Sequence, residues 1–130
     1  MSKAYSIVVG IIFLGDLAEG LQSLDDITIT NDGTESSTDV FLAVLSASRV
    51  VAGDTNGNGQ EAITEKWLEV SLDGVVWKAI GGDPSVADNV LPFTSPAAGD
   101  SITIQARIRV PAGATTAGDL AISPEVFWLP

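Results

Sequence analysis

The sequence predicts an all-β protein, an antiparallel β-sandwich of about seven to eight strands. Three observations point that way. Short apolar/polar alternations recur along the chain, turn-forming residues separate them, and no stretch keeps a helical period over several turns. At 130 residues the chain is long enough to bury a core as a single domain, residues 1–130, and neither a linker nor an internal repeat divides it.

The first segment, AYSIVVGIIFLG (4–15), is rich in Ile, Val and Phe, as suits a strand buried on both faces. It has the length of a signal-peptide core and is too short to cross a bilayer as a helix, yet no small-x-small cleavage pattern follows it. It is expected to form an N-terminal strand. That strand either completes its own sandwich, the simpler arrangement, or pairs with a neighbouring subunit, which makes Ile11 and Phe13 candidate interface residues.

DITIT (26–30) alternates, with Ile27 and Ile29 on one face and Thr28 and Thr30 on the other, and runs into the turn signal Asn31-Asp32-Gly33. VFLAVL (40–45) is a denser apolar run, expected as a strand inside the sandwich. In KWLEVSLDGVVWKAI (66–80) the Asp73-Gly74 pair sits between two alternating runs, which predicts a hairpin closed by a two-residue type I′ turn. Leu68, Val70 and Leu72 then share one face, with Trp67, Glu69 and Ser71 on the other. On that polar face Trp67 becomes a candidate interface residue, because Trp is enriched at binding hot spots. Trp77 and Trp128 are expected in the core.

Residues 81–100 form a long Pro-containing connection with one short strand around Leu91 to Phe93. SITIQARIRV (101–110) alternates without a break, Ile102, Ile104, Ala106, Ile108 and Val110 against Thr103, Gln105, Arg107 and Arg109. A slip of one residue would bury both arginines, so the register is tightly specified. PAGATTAGD (111–119) then leads into a last strand through Val126, Phe127 and Trp128.

Two stretches carry a family resemblance. DLAEGLQSLDDITITNDGTESSTDVFLAV (16–44) is similar to the opening of adhesion-type immunoglobulin-like modules of the CARDB kind, with a Gly-containing turn, an alternating strand, an Asn-x-Gly turn and an apolar strand. AAGDSITIQARIRVPAGATTAGD (97–119) resembles their close, a Gly-led strand followed by Pro-x-Gly and a Thr/Gly-rich turn. The resemblance implies an immunoglobulin-like sandwich. Those modules usually occur as repeats in exported chains, whereas a small, acidic, Cys-free sandwich standing alone resembles the immunoglobulin-like components of tailed-phage particles. From this resemblance comes the expectation of a non-enzymatic structural protein of a virion, capsid decoration or tail-associated. It would pack against other virion proteins or copies of itself in a homo-oligomer or repetitive lattice. The alternative is an exported cell-surface adhesion or filament module, extracellular and calcium-stiffened.

Composition narrows the function classes. Seventeen acidic residues against 6 basic ones give a net charge of −11, the wrong sign for a chain that must displace phosphate counterions or sit on an anionic membrane. Neither nucleic acid nor membrane is an expected partner. The sequence has no Cys and no His, so it lacks a thiolate nucleophile and both of the commonest transition-metal ligands. Acidic pairs such as Asp25-Asp26 and Glu65 with Glu69 invite a glycosidase reading. Adjacent strand residues diverge, however, and so many acids make chance pairs inevitable. No enzyme is expected.

One motif remains. In DTNGNGQEAITE (54–65), Asp54, Asn56, Asn58, Gly59 and Glu65 follow the spacing of an EF-hand calcium loop, and the Gln60 carbonyl falls at a further ligand position. Against it, only two of those side chains are charged, Glu61 stands where an aliphatic residue is usual, and the flanks read as strands. The competing reading is a Gly/Asn-rich loop that needs positive φ at Gly57 and Gly59. No cofactor is expected other than calcium at this loop.

Overall fold

Strict alternation from Ser101 to Val110 produces the strand around which the molecule is organised: Ile104, Ala106, Ile108 and Val110 are buried, and Thr103, Gln105 and Arg109 face outward. A computed structural model describes residues 5–9, 13–14, 20–37, 40–50, 60–112 and 119–128. Within them lie the strands β1 (Tyr5–Val9), β2 (Phe13–Leu14), β3 (Gly20–Ser23), β4 (Ile27–Asn31) and β5 (Val40–Val50). A short helix α1 (Gln60–Thr64) precedes β6 (Leu68–Ser71), β7 (Lys78–Ile80), β8 (Leu91–Phe93), β9 (Ser101–Val110) and β10 (Asp119–Trp128). The protein is all-β, two antiparallel sheets packed as a sandwich, with more strand segments than the sequence suggests because several are short.

The first sheet runs β1-β4-β9-β6-β7, with β3 also on β9; the second runs β2-β10-β5-β8. β3 and β4 are two halves of one bulged strand. Ser23 faces Arg107 and Ile27 faces Ile104, so Leu24, Asp25 and Asp26 stand opposite only Gln105 and Ala106. The extra residue is a β-bulge, and it puts Ile27 and Ile29 on the core face while Asp25 and Asp26 stay exposed. A second bulge lies between β5 and β10, where Ser123 faces Ser46 and Pro124 faces Val44. Pro124 has no N–H to give the ladder, and a bulge is one of the few places a strand tolerates that.

Ile27, Ile29, Ile104 and Ile108 from the first sheet meet Val40, Leu42, Val44, Phe93 and Ile122 from the second in one core. Asn31 closes the end of β4 from a fully buried position. Its Oδ1 accepts from the Gly33 N–H at 3.0 Å, and its Nδ2 donates to the carbonyls of Glu35 and Pro96 at 3.0 Å each. The turn expected at 31–33 therefore forms, but it carries the chain across to the other sheet: β4 pairs with β9 and β1, and β5 with β10 and β8.

Of the N-terminal segment, residues 5–9 and 13–14 are described and lie in strands, β1 paired with β4 and β2 with β10. Phe13 stands opposite Ala121 in β2; Ile11 lies outside the described residues. The Tyr5 hydroxyl bonds Ser95 Oγ at 2.7 Å and accepts the Ser37 N–H at 2.9 Å.

The 66–80 hairpin is present with a different loop. Leu68 pairs with Ile80 and Val70 with Lys78, one residue out of register from a two-residue Asp73-Gly74 turn. Leu72 consequently leaves the core face and is exposed, while Ser71 is buried. Trp67 is also corrected, since at 1 % exposure it is among the largest buried side chains of the core rather than a surface residue. The cause is local. Lys66 takes φ 56°, Trp67 N–H donates to Ala62 C=O at 3.0 Å, and β6 begins only at Leu68, so the alternation of the strand does not extend back to Trp67. α1, unexpected from the sequence, buries Ala62 and Ile63 beside it.

Candidate functional site

The pairings Glu69↔Arg107 and Leu21↔Arg109 bring β3, β9, β6 and β7 together on the outer face of the first sheet. Glu69, on the outward side of β6, holds both arginines of β9: Arg107 Nε donates to Oε1 at 2.7 Å and Arg109 Nε to Oε2 at 2.9 Å. Burial alone would push the Glu69 carboxyl up. The hydrogen bonds from Arg109 and Arg107, with their charges, outweigh it and hold the group below the ordinary glutamate value. A carboxylate so held stays ionised and is unsuited to act as a general acid near neutrality.

The Arg107 guanidinium lies 4.0 Å from the ring centroid of Trp77, a cation–π contact that links the clamp to β7. Trp77 is thus half-buried on the outer face, and Trp128 is partly exposed with its ring 5.2 Å from Tyr5; neither is the core residue the sequence suggested. The one-residue register shift of the hairpin explains Trp77. With Val70 opposite Lys78, Trp77 and Ala79 fall on the side of Glu69.

Beyond Trp77 the connection between β6 and β7 is held open in a defined shape. Asp73 Oδ1 accepts the N–H groups of Val75 at 2.8 Å and Val76 at 2.9 Å, and Ser71 Oγ accepts the Gly74 N–H at 2.7 Å. Those two backbone donors, Val76 first, with the Ser71 hydroxyl, hold the Asp73 carboxyl below its ordinary value. Gly74 has φ 79°, and a Cβ there would come within 2.8 Å of Gln105 Nε2. The loop displays apolar side chains to solvent: Val75 is 80 % and Val76 71 % exposed, with Leu72 exposed nearby and Leu21 exposed beside Arg109. Rigid support under exposed aliphatic groups, next to a Trp–Arg stack, has the composition of a protein-contact surface.

The other sequence-derived candidates do not join this face. Of the calcium motif, Asp54, Asn56 and Asn58 lie outside the described residues, Gln60 opens α1, and Glu65 is exposed just after it. Among the described residues, no group of three or more acidic side chains gathers as a metal site. Asp25 and Asp26 sit exposed in the bulge of the β3–β4 strand. The alternation put Glu69, Arg107 and Arg109 on outward faces. Which strands lie side by side, and hence the clamp itself, depends on the register of β6 on β9, for which the sequence offers no local signal.

Fold and face together define an all-β sandwich with a preorganised Trp/Arg/Glu surface. Comparison with protein-family models, characterised proteins and solved structures finds no match.

Proposed function

We propose that the protein is a non-enzymatic structural component of a phage particle, capsid decoration or tail-associated, that works by protein–protein packing. The observation that carries the packing reading is the outer face just described. Glu69 immobilises two arginines, Arg107 stacks on Trp77, and the Asp73-braced loop offers Val75 and Val76. Arg and Trp are the residues most enriched at binding hot spots, and a face held rigid before contact loses little entropy on binding. The virion assignment draws support from the resemblance of residues 16–44 and 97–119 to immunoglobulin-like modules and from the acidic, Cys-free composition.

An immunoglobulin-like topology belongs to the same reading. The order β1-β4-β9-β6 in one sheet and the β10–β5 pair in the other parallel the A-B-E-D and F-C arrangement of constant-type domains. The departures are β7 on the edge of the first sheet, β8 beside β5, and β2 beside β10.

The test is the size of the protein in its source, by sedimentation without denaturant. Co-sedimentation with a megadalton particle at fixed stoichiometry supports the proposal. A free monomer with residues 1–15 removed refutes it and favours the exported adhesion module.

A further inference from the structure

The hairpin of β6 and β7 carries two instructions that differ by one residue. Its sequence alternates for a tight Asp73-Gly74 turn, in which Leu72 faces Val75, Val70 faces Trp77 and Leu68 faces Ala79. The structure pairs Val70 with Lys78 and Leu68 with Ile80 instead. Because side chains alternate along a strand, that one residue decides which face every side chain of β7 takes.

Each register has its own support. In the observed one Ile80 is fully buried, Trp77 lies against Arg107, and Ser71 and Asp73 hold the N–H groups of Gly74, Val75 and Val76. Against it, Leu72, Val75 and Val76 stand exposed, and Lys78 shares a strand face with buried Val70 and Ile80, its Nζ donating to the Ala87 carbonyl at 3.2 Å. A slip of one residue turns Leu72, Val75 and Trp77 to the core side and sets Lys78 opposite Glu69 as a cross-strand pair of opposite charge. In exchange Ile80 leaves the core, and the Gly81 N–H gives up its 3.0 Å bond to the Asn89 carbonyl. The moving parts suit such a step. β7 is a three-residue strand at the end of its sheet, so the slip remakes a short ladder with β6. Gly74 already has φ 79°, the sign that the tight turn needs, and Asp is a residue that tolerates positive φ beside it. Gly81 and Gly82, at φ 153° and 87° just beyond β7, form a hinge able to take up the displaced residue.

We propose that β7 slips by one residue on β6 and in doing so takes the outer face apart. In the slipped register Trp77 leaves Arg107, Lys78 competes for the Glu69 carboxylate, and the exposed loop of Val75 and Val76 closes into a turn. The observed register presents the face and the slipped one withdraws it, two packings of one sequence. This inference rests on the packing function proposed above and supplies its regulation.

The test is nitrogen-15 relaxation dispersion of the full chain, which reads exchange on the microsecond-to-millisecond scale, at the amides of Lys78, Ala79 and Ile80, the Trp77 indole and Arg107 Nε. Two substitutions push the equilibrium in opposite directions. Ser71→Ala removes the acceptor of the Gly74 N–H, a bond that belongs to the open loop. Ala79→Lys places a charge on the side that turns to the core on slipping. The expected result is exchange at all these positions with one common rate, a slipped population about fivefold to tenfold higher in Ser71→Ala than in the wild type, and none once Ala79→Lys is added. Flat profiles in both the wild type and Ser71→Ala overturn the inference, as does exchange that survives Ala79→Lys or that leaves out Trp77 and Arg107. Near-UV circular dichroism checks each fold, and if Ser71→Ala does not fold, the wild type against Ala79→Lys decides alone. Flat profiles in a chain that travels with a particle in its source refute the slip and leave the packing function standing. Exchange in a chain that is a free monomer in its source refutes the packing function and not the slip.

Discussion

Replacing Glu69 by alanine removes the one acceptor shared by Arg107 and Arg109, and the structure sets the size of the effect. The Glu69 side chain is only 13 % exposed and Arg107 is 22 % exposed, so their 2.7 Å bond is a shielded, charge-assisted one. Hydrogen bonds to charged groups of that kind contribute about 1.5–3 kcal/mol. The Arg109 bond, at 2.9 Å, involves a side chain more than half in solvent, and an exposed pair adds only about 0–1 kcal/mol. Glu69→Ala should therefore cost about 2–3 kcal/mol, most of it through Arg107. At about 2.1 cal/mol/K of unfolding entropy per residue, a chain of 130 residues loses about 7–11 °C in Tm. Urea denaturation of the single and double variants with Arg107→Ala and Arg109→Ala closes two double-mutant cycles. The coupling of Glu69 to Arg107 should exceed its coupling to Arg109. A loss below about 0.5 kcal/mol, the range of an ordinary surface substitution, would refute the reasoning, as would the reverse order of couplings.

Four further outcomes follow from the same structure. Glu69 has a folded pKa below its unfolded one, so its contribution is full above the ordinary glutamate range and is lost as pH falls through the folded value. Acid titration of stability should show that loss in the wild type and less of it in the Arg107→Ala/Arg109→Ala double variant. Lys66 holds φ 56°, a conformation a side chain resists, and Lys66→Gly should raise stability by about 0.5–1 kcal/mol in denaturant titration. At Gly81, φ 153°, an added Cβ would sit 2.5 Å from the Ile63 carbonyl oxygen, whereas at Gly99 nothing lies within 4 Å. Gly81→Ala should thus cost about 3 kcal/mol, and clearly more than Gly99→Ala, in a side-by-side thermal melt. Tyr5→Phe removes a hydroxyl that bonds both Ser95 and the Ser37 N–H, and should cost about 1–2 kcal/mol; no loss would mean that this bridge does not help anchor β1.

Much of the fold was legible because half-buried strands write their orientation into the sequence. Ile27 and Ile29 and the alternation through Ile104, Ile108 and Val110 fall where period-two reasoning puts them, and the dense apolar run from Val40 lies in a buried strand. Even the short strand at Leu91–Phe93 is where the sequence suggests. Legibility fails where register depends on what a loop does with its hydrogen bonds. Asp73-Gly74 reads as a tight turn, but Ser71 Oγ and Asp73 Oδ1 between them take the N–H groups of Gly74, Val75 and Val76, and this stabilises a longer loop. That single shift turns Trp77 outward and frees Leu72. Trp67 is misread for a related reason, since a left-handed residue before it breaks the strand's periodicity. The Glu69 clamp joins residues 38 and 40 positions apart, a pairing that no local pattern encodes.

The central claim is that the protein works through its outer Trp/Arg face, and covalent footprinting tests it most directly. The protein as recovered from its source and the isolated chain are labelled in parallel with an arginine-specific reagent and with hydroxyl radicals, then read out by mass spectrometry at Arg109, Val75 and Val76. The account predicts strong labelling of all three in the isolated chain under low salt and protection of all three in the source-derived form, with Val86, exposed elsewhere, as the reference position. Equal labelling of the face in both forms would contradict it.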